Sequence, residues 1–144
     1  MAGKERDVKL GLVAADFNFD VTSLMLERAR RHAEFLGAEA MVVHVPGVFD
    51  MPAVIKKLLA RKDIDGVVLI GAVIKGDTQH DEVIMHATAQ ASAQLAAQTG
   101  KPVGFGVTGP GMTREQAVDR IDNARNAVES VVRLLQTLKQ IDSV

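Results

Sequence analysis

The groups in this chain that could do chemistry collect in four short segments: Asp16-Phe17-Asn18-Phe19, Pro46-Gly47-Val48-Phe49-Asp50, Lys75-Gly76-Asp77-Thr78-Gln79-His80 and Thr108-Gly109-Pro110-Gly111. The third carries the reactive groups. Gly76 lets backbone approach a ligand closely, Thr78 offers a hydroxyl, and the start of a following helix would present unpaired N–H groups, a combination suited to a phosphate. Thr78-Gln79-His80-Asp81 also has the form of a capping box, so the same threonine has a purely structural use. His80 stands beside this cradle, where an imidazole could act as general acid-base or be an incidental surface residue. His32, His44 and His86 fall on a helix, a strand and a helix, and read as structural. His80 and His86 are six apart, which misses the i, i+4 spacing of a helical zinc pair, so no metal site is expected. With Trp and Tyr absent, stacking is left to Phe17, Phe19, Phe35, Phe49 and Phe105. All but Phe35 fall in or near the four segments, where they could receive a planar heterocycle or simply close the core.

The elements that must position these segments follow from the hydrophobic pattern. Val8–Ala15 is an apolar run without helical periodicity and reads as a buried strand, followed by an amphipathic helix over about Val21–Leu36 that Gly37 ends. Glu39–Val45 reads as a second strand and Met51 to about Arg61 as a second helix, with Asp50 available as N-cap and Pro52 tolerable in the first turn. Asp65–Ile74, apolar on both faces, reads as a central parallel strand. An Ala-rich helix runs from the Thr78 capping box to about Gln98, Val103–Val107 is the fourth strand, and Thr113 to about Gln140 is helical as one bent helix or two. Strands alternating with helices across short connections predict a doubly wound parallel sheet covered on both faces. Ligands of such sheets bind at the carboxyl ends of the strands, near the switch in strand order, and each of the four segments follows a strand.

Bulk composition narrows the partner. The 17 basic and 18 acidic residues nearly cancel and no long like-charge run occurs, so nothing draws this surface to nucleic acid or to an anionic membrane. A small-molecule partner is favoured. No apolar stretch approaches the roughly 18 residues of a membrane span, and the polar start MAGKERD lacks the apolar core of a secretory leader, so a cytoplasmic protein is expected. The absence of Cys removes disulfides and thiolate metal sites. Length fits one domain spanning 1–144.

Taken in order, these segments resemble the lumazine synthase family, in its archaeal-like branch. The resemblance rests on Phe17-Asn18, on Val45-Pro46-Gly47-Val48-Phe49-Asp50-Met51-Pro52, on Gly71 through His80, and on Glu115-Gln116-Ala117-Val118-Asp119-Arg120 in the tail. It implies a single-domain, three-layer αβα sandwich of flavodoxin-like type with a four-stranded parallel sheet. It also implies that Phe17 stacks on a pyrimidine, that Asn18 with Gly47, Val48, Phe49 and Asp50 binds a ribityl chain, and that backbone around Val73 and Ile74 reads the pyrimidine edge. Gly76, Asp77, Thr78 and Arg120 would hold a ketose phosphate, and His80 would move protons. Sites in the family are shared within a pentameric ring, so Phe105 and Arg120 are expected to reach an adjacent subunit.

The implied reaction joins a ribitylaminouracil to a four-carbon ketose phosphate. The 5-amino group attacks the ketone to give a carbinolamine and then an imine, phosphate is eliminated, and the ribitylamino nitrogen closes the second ring with loss of water. Each step moves protons around a carbonyl, so positioning and one proton shuttle suffice and no cofactor is called for. The chain departs from the family pattern in three places: Asp50 stands where Glu is usual, the Gly- and Lys-rich bend after the arginine is replaced by Ile121-Asp122-Asn123-Ala124-Arg125-Asn126, and Thr108-Gly109-Pro110-Gly111-Met112 is an unusual rim loop. Three rival readings are an archaeal-type riboflavin synthase, a flavin-binding module of flavodoxin type, and a shell protein whose function is assembly. Thr78, His80 and Arg120 together speak against the first. The second would need a Ser/Thr-rich phosphate loop after strand one, and the third has no use for the rim residues.

Overall fold

The computed structural model describes residues 7–144, so the polar start of the chain lies, but for Asp7, outside the described residues. Strands β1 (Lys9–Ala15), β2 (Glu39–Val45), β3 (Gly66–Ile74) and β4 (Val103–Met112) are parallel and lie in the order β2-β1-β3-β4. Helices α1 (Phe19–Phe35), α2 (Met51–Leu59) and α3 (Asp81–Thr99) connect them, a single 3-10 turn at Val48–Asp50 precedes α2, and α4 (Arg114–Asp119) and α5 (Asp122–Asp142) follow β4. The tail is therefore two helices. The order of strands reverses between β1 and β3, which makes their carboxyl ends the switch point. Among the described residues no helix is long and apolar enough to cross a membrane.

Strand alternation divides the core into two layers. Leu10, Leu12 and Ala14 of β1 and Val68 and Ile70 of β3 face α1 and α5, where they bury Met25, Ala29, Val128 and Val131. Val13, Ala15, Val67 and Leu69 point the other way, against Met51, Ile55 and Leu58 of α2 and Met85 of α3. Every residue of β3 is buried, as a strand covered on both faces requires. Each large aliphatic side chain so buried contributes roughly 1.5 to 3 kcal/mol of transfer free energy, which makes the sheet a firm platform for its rim.

Three expectations need correction. Thr108–Gly111 is not a rim loop but the continuation of β4: Thr108 pairs with Ala72, Met112 with Ile74, and Lys75 N donates to Met112 O at 2.8 Å. Gly-Pro-Gly reads as a turn because its residues usually break strands. Here β4 is an edge strand that tolerates a proline, and Gly109, at φ +113°, brings its backbone so close to β3 that a Cβ would lie 2.2 Å from Val73 O. Helix α3 begins at Asp81 rather than at Thr78, because the Thr78 hydroxyl accepts from His80 N, two residues on, and so closes a tight turn in place of the first helical turn. His80 consequently occupies the position before the helix. Finally, Asp50 does not cap α2: its carboxylate turns back to accept from Gly47 N at 2.9 Å and closes the 3-10 turn.

Candidate functional site

At the switch point the β1–β3 ladder stops at Ala14 and Ile70, while β3 runs on to Ile74 beside β4. The gap opens a cavity of about 350 Å³, within the range of small-molecule sites. Ala15 and Phe17 line it from β1, Pro46, Gly47, Val48, Phe49 and Asp50 from the β2 side, Ala72 and Val73 from β3, and Asp77, Thr78, Asp81 and Ile84 from the β3–α3 connection. Its walls are mainly apolar, with Asp77, Thr78 and Asp81 supplying polar groups from the β3–α3 connection and Asp50 from the β2 side.

Each wall is held by local bonding. Phe17 is 57% exposed, yet its backbone is fixed by Phe17 N donating to Pro46 O at 3.0 Å, so the ring stands at the mouth on an anchored stem. Val48 is buried beneath Phe49, and the hydroxyl of buried Thr88 donates to Val48 O, which pins the 3-10 turn to α3. Asp50 uses Oδ2 on Gly47 N, and its Oδ1 accepts no hydrogen bond among the described residues.

The β3–α3 connection is a designed turn in the physical sense that every bond closes it. Asp77 N donates to Ile74 O, the Asp77 carboxylate accepts from Ile74 N at 3.0 Å, and Gly76 takes φ +90°, which an L side chain rarely adopts. Thr78 N donates to Asp81 Oδ1, and the Thr78 hydroxyl accepts from His80 N at 3.2 Å, which leaves the hydroxyl proton free for a ligand. His80 is exposed and sits between Thr78 and Asp81, both of which line the cavity, without lining it itself.

Asn18 takes a left-handed conformation at φ 63°, and its amide is saturated. Nδ2 donates to Ala72 O at 2.9 Å and to Asp77 Oδ2 at 2.8 Å, while Oδ1 accepts from Arg114 at 3.0 Å. Arg114 escaped the sequence reading. The signal was there: Thr113-Arg114-Glu115-Gln116 is a capping box, with Thr113 Oγ1 accepting from Gln116 N and Gln116 Oε1 from Thr113 N, and it sets Arg114 at the head of α4. Ala15, Asp81 and Ile84 were likewise unnamed as cavity walls.

The expected cluster of four rings is only half formed. Phe17 and Phe49 line the cavity; Phe19 opens α1 and does not, and Phe105 borders a separate groove between β4 and α5 with Asn123, Asn126 and Ser130. Ile74 packs on the opposite face of the sheet, its N–H taken by Asp77, so Val73 alone of that pair faces the cavity. Arg120 ends α4 away from the cavity, exposed, with its guanidinium 3.8 Å from Met112 Sδ. Phe35 closes α1 and stacks on His32, which bonds to Glu129, while His44 on β2 meets Asp16 at 3.2 Å.

The 6,7-dimethyl-8-ribityllumazine synthase family matches residues 7–139. Among curated relatives, the 6,7-dimethyl-8-ribityllumazine synthase of Methanococcus maripaludis is 54% identical over 135 residues, covering 93% of this chain and 98% of that one. That of Picrophilus torridus is 53% identical over 133 residues, covering 92% and 98%, and that of Saccharolobus islandicus 49% over 143 residues, covering 98% and 93%.

Proposed function

The chain belongs to the 6,7-dimethyl-8-ribityllumazine synthase family, and from that premise we propose how its rim residues divide the work. The protein is a transferase of riboflavin biosynthesis that condenses 5-amino-6-(D-ribitylamino)uracil with L-3,4-dihydroxy-2-butanone 4-phosphate. The observation that carries the division is the switch-point cavity, lined both by an exposed ring on an anchored stem and by a turn whose Thr78 hydroxyl keeps a free proton.

In this reading the uracil stacks on Phe17, and backbone at Val73 and Ile74 borders its edge. Ile74 contributes through the turn that its N–H closes with Asp77. The ribityl chain runs along Gly47, Val48 and Phe49, with Asp50 Oδ1 accepting a hydroxyl and Asn18 holding the adjoining wall. Gly76 and Thr78 donate to the phosphate. Asp77 serves that group by shaping the turn, since a carboxylate facing a phosphate dianion would repel it. His80 shuttles the protons released as the amine attacks and as water leaves. Its reach from outside the cavity wall is short, because Asp81 beside it and Thr78 two residues before it are lining residues.

The site is completed by a second copy. A cavity of about 350 Å³ is at the low end for ligand sites and must seat two substrates, and neither Phe105 nor Arg120 lines it. A ring of subunits, pentameric as in the resemblance, brings those two residues of one copy to the cavity of the next. Exposed Phe49, Val83 and Phe105 supply apolar surface for the contacts. The working place is the cytoplasm, where small phosphorylated substrates are held. Incubating the purified protein with both substrates and following lumazine fluorescence tests the assignment; product from the aminouracil alone would point instead to another reaction.

A further inference from the structure

A chain of polar contacts runs across the rim to the cavity wall at Ala72 and Asp77, and nothing in the division of labour above uses its outer end. Arg114 Nη1 holds both oxygens of Asp20, at 2.7 and 2.6 Å, and Nη2 donates to Asn18 Oδ1 at 3.0 Å. The Asn18 amide passes the contact on to Asp77 Oδ2 and Ala72 O, and Asp77 fastens the turn at Ile74 N. We infer that Arg114 is a positioning residue for the phosphate turn, acting through Asn18 and Asp77. The inference rests on the reading of Gly76 and Thr78 as phosphate ligands.

An asparagine amide can rotate by half a turn at little steric cost, which would exchange its donor and acceptor ends. Here one orientation alone fits. Flipped, the NH₂ would face a guanidinium and the carbonyl would face a carboxylate and a peptide oxygen, so Arg114 holds from the acceptor end the same orientation that Asp77 and Ala72 O hold from the donor end. Stability does not explain this arrangement: Arg114 and Asp20 are about half exposed, and ion pairs so exposed contribute little to folding. The guanidinium is planar, and its fork ties the carboxylate and the amide in one rigid unit, as an ammonium would not. The path also accounts for the β4 continuation over Thr108–Met112. It carries the chain along β3 as far as Ile74, so that α4 starts at the rim with Arg114 above Asn18.

Arg114→Ala removes the bond that fixes the acceptor end of the Asn18 amide, so the donor that Asn18 offers Asp77 is held less firmly and the Gly76–Thr78 turn loosens. Phe17 keeps its own backbone anchor on Pro46. The expected result is a rise of about tenfold or more in KM for the ketose phosphate, the scale on which small displacements of positioned groups act. KM for the aminouracil should rise clearly less, because Phe17 and the Gly47–Asp50 turn are anchored by bonds of their own and Asn18 alone is shared between the two subsites. Binding of inorganic phosphate, followed by calorimetry, should weaken in parallel, and melting temperature should hardly move. The double variant Arg114→Ala with Asp77→Ala should bind phosphate no worse than Asp77→Ala alone, since both break one path. Additive losses in that pair, or equal losses for both substrates with a large fall in melting temperature, would overturn the inference. Should Arg114→Ala lose its fold, Arg114→Gln carries the same test. A parent that makes no lumazine refutes the functional reading itself; a parent that makes it while Arg114→Ala binds phosphate normally refutes the inference alone.

Discussion

Arg120 is an exposed cation whose guanidinium meets a sulfur and makes no ion pair among the described residues, as expected of a charge held for a ligand outside its own subunit. Losing a general acid-base group costs roughly 10² to 10⁴ in rate, but the amine is already nucleophilic, so His80→Ala should fall at the mild end. Stripping a desolvated phosphate of its counter-charge typically costs ~2 to 5 kcal/mol, largely as lost binding. Arg120→Ala should therefore lower kcat/KM for the ketose phosphate more than His80→Ala does, through KM, with His86→Ala behaving as the parent in the same steady-state assay. A near-normal KM in Arg120→Ala would move the phosphate site, with Arg125 next to be tried. Phe17→Ala should weaken aminouracil binding by ~1 to 2 kcal/mol in calorimetry, with an unchanged melt because the ring is on the rim. Residue types at the site were legible in the chain; the partners of Asn18 and Asp77 were not, because each lies more than fifty positions from the group it binds across the rim.

At the level of elements, the rim depends on how closely β4 approaches β3. An alanine at Gly109 would put Cβ against Val73 O in a conformation L residues avoid, whereas Gly111, at φ +80°, has open space around a Cβ. Gly111→Ala should cost about 1 to 2 kcal/mol, the left-handed penalty alone. Gly109→Ala should cost clearly more and raise KM for the ketose phosphate with it, since α4 hangs from that strand; equal melting temperatures for the two variants would contradict this. A second element-level test lies at the opposite end of the sheet, where Asp63 joins α2 to β3. Hydrogen bonds from Arg61 and then from Lys9 hold its carboxyl well below the ordinary value of 3.8. A depressed folded-state pKa means that the contribution is full above the unfolded value and is lost as pH falls through the folded one. The melting-temperature gap between the parent and Asp63→Asn should be flat from neutral pH down to about 4 and close in stronger acid. A gap that widens on acidification would contradict the assignment.

For the whole molecule, the proposed shared site carries one prediction: with Phe105 and Arg120 outside the cavity of their own chain, the active species contains more than one copy. Light scattering at assay concentration should give a mass of at least five chains, and dilution that dissociates the ring should abolish turnover while leaving the helical signal intact. A fully active monomer would remove the shared site.

What the chain determined by itself was the alternation of elements and the identity of the rim. Period-two and period-3.6 patterns are local, and so are the turn residues that end each strand, which is why Glu39–Val45 was readable to its exact bounds and Phe17, Phe49 and Thr78 were placed on one rim. Only the tertiary structure decided that Gly-Pro-Gly would extend β4, that Phe19 would leave the cavity, and that Arg114 would orient Asn18. Each of these depends on contact between segments far apart in sequence, where backbone proximity and the polarity of a distant partner override local preference.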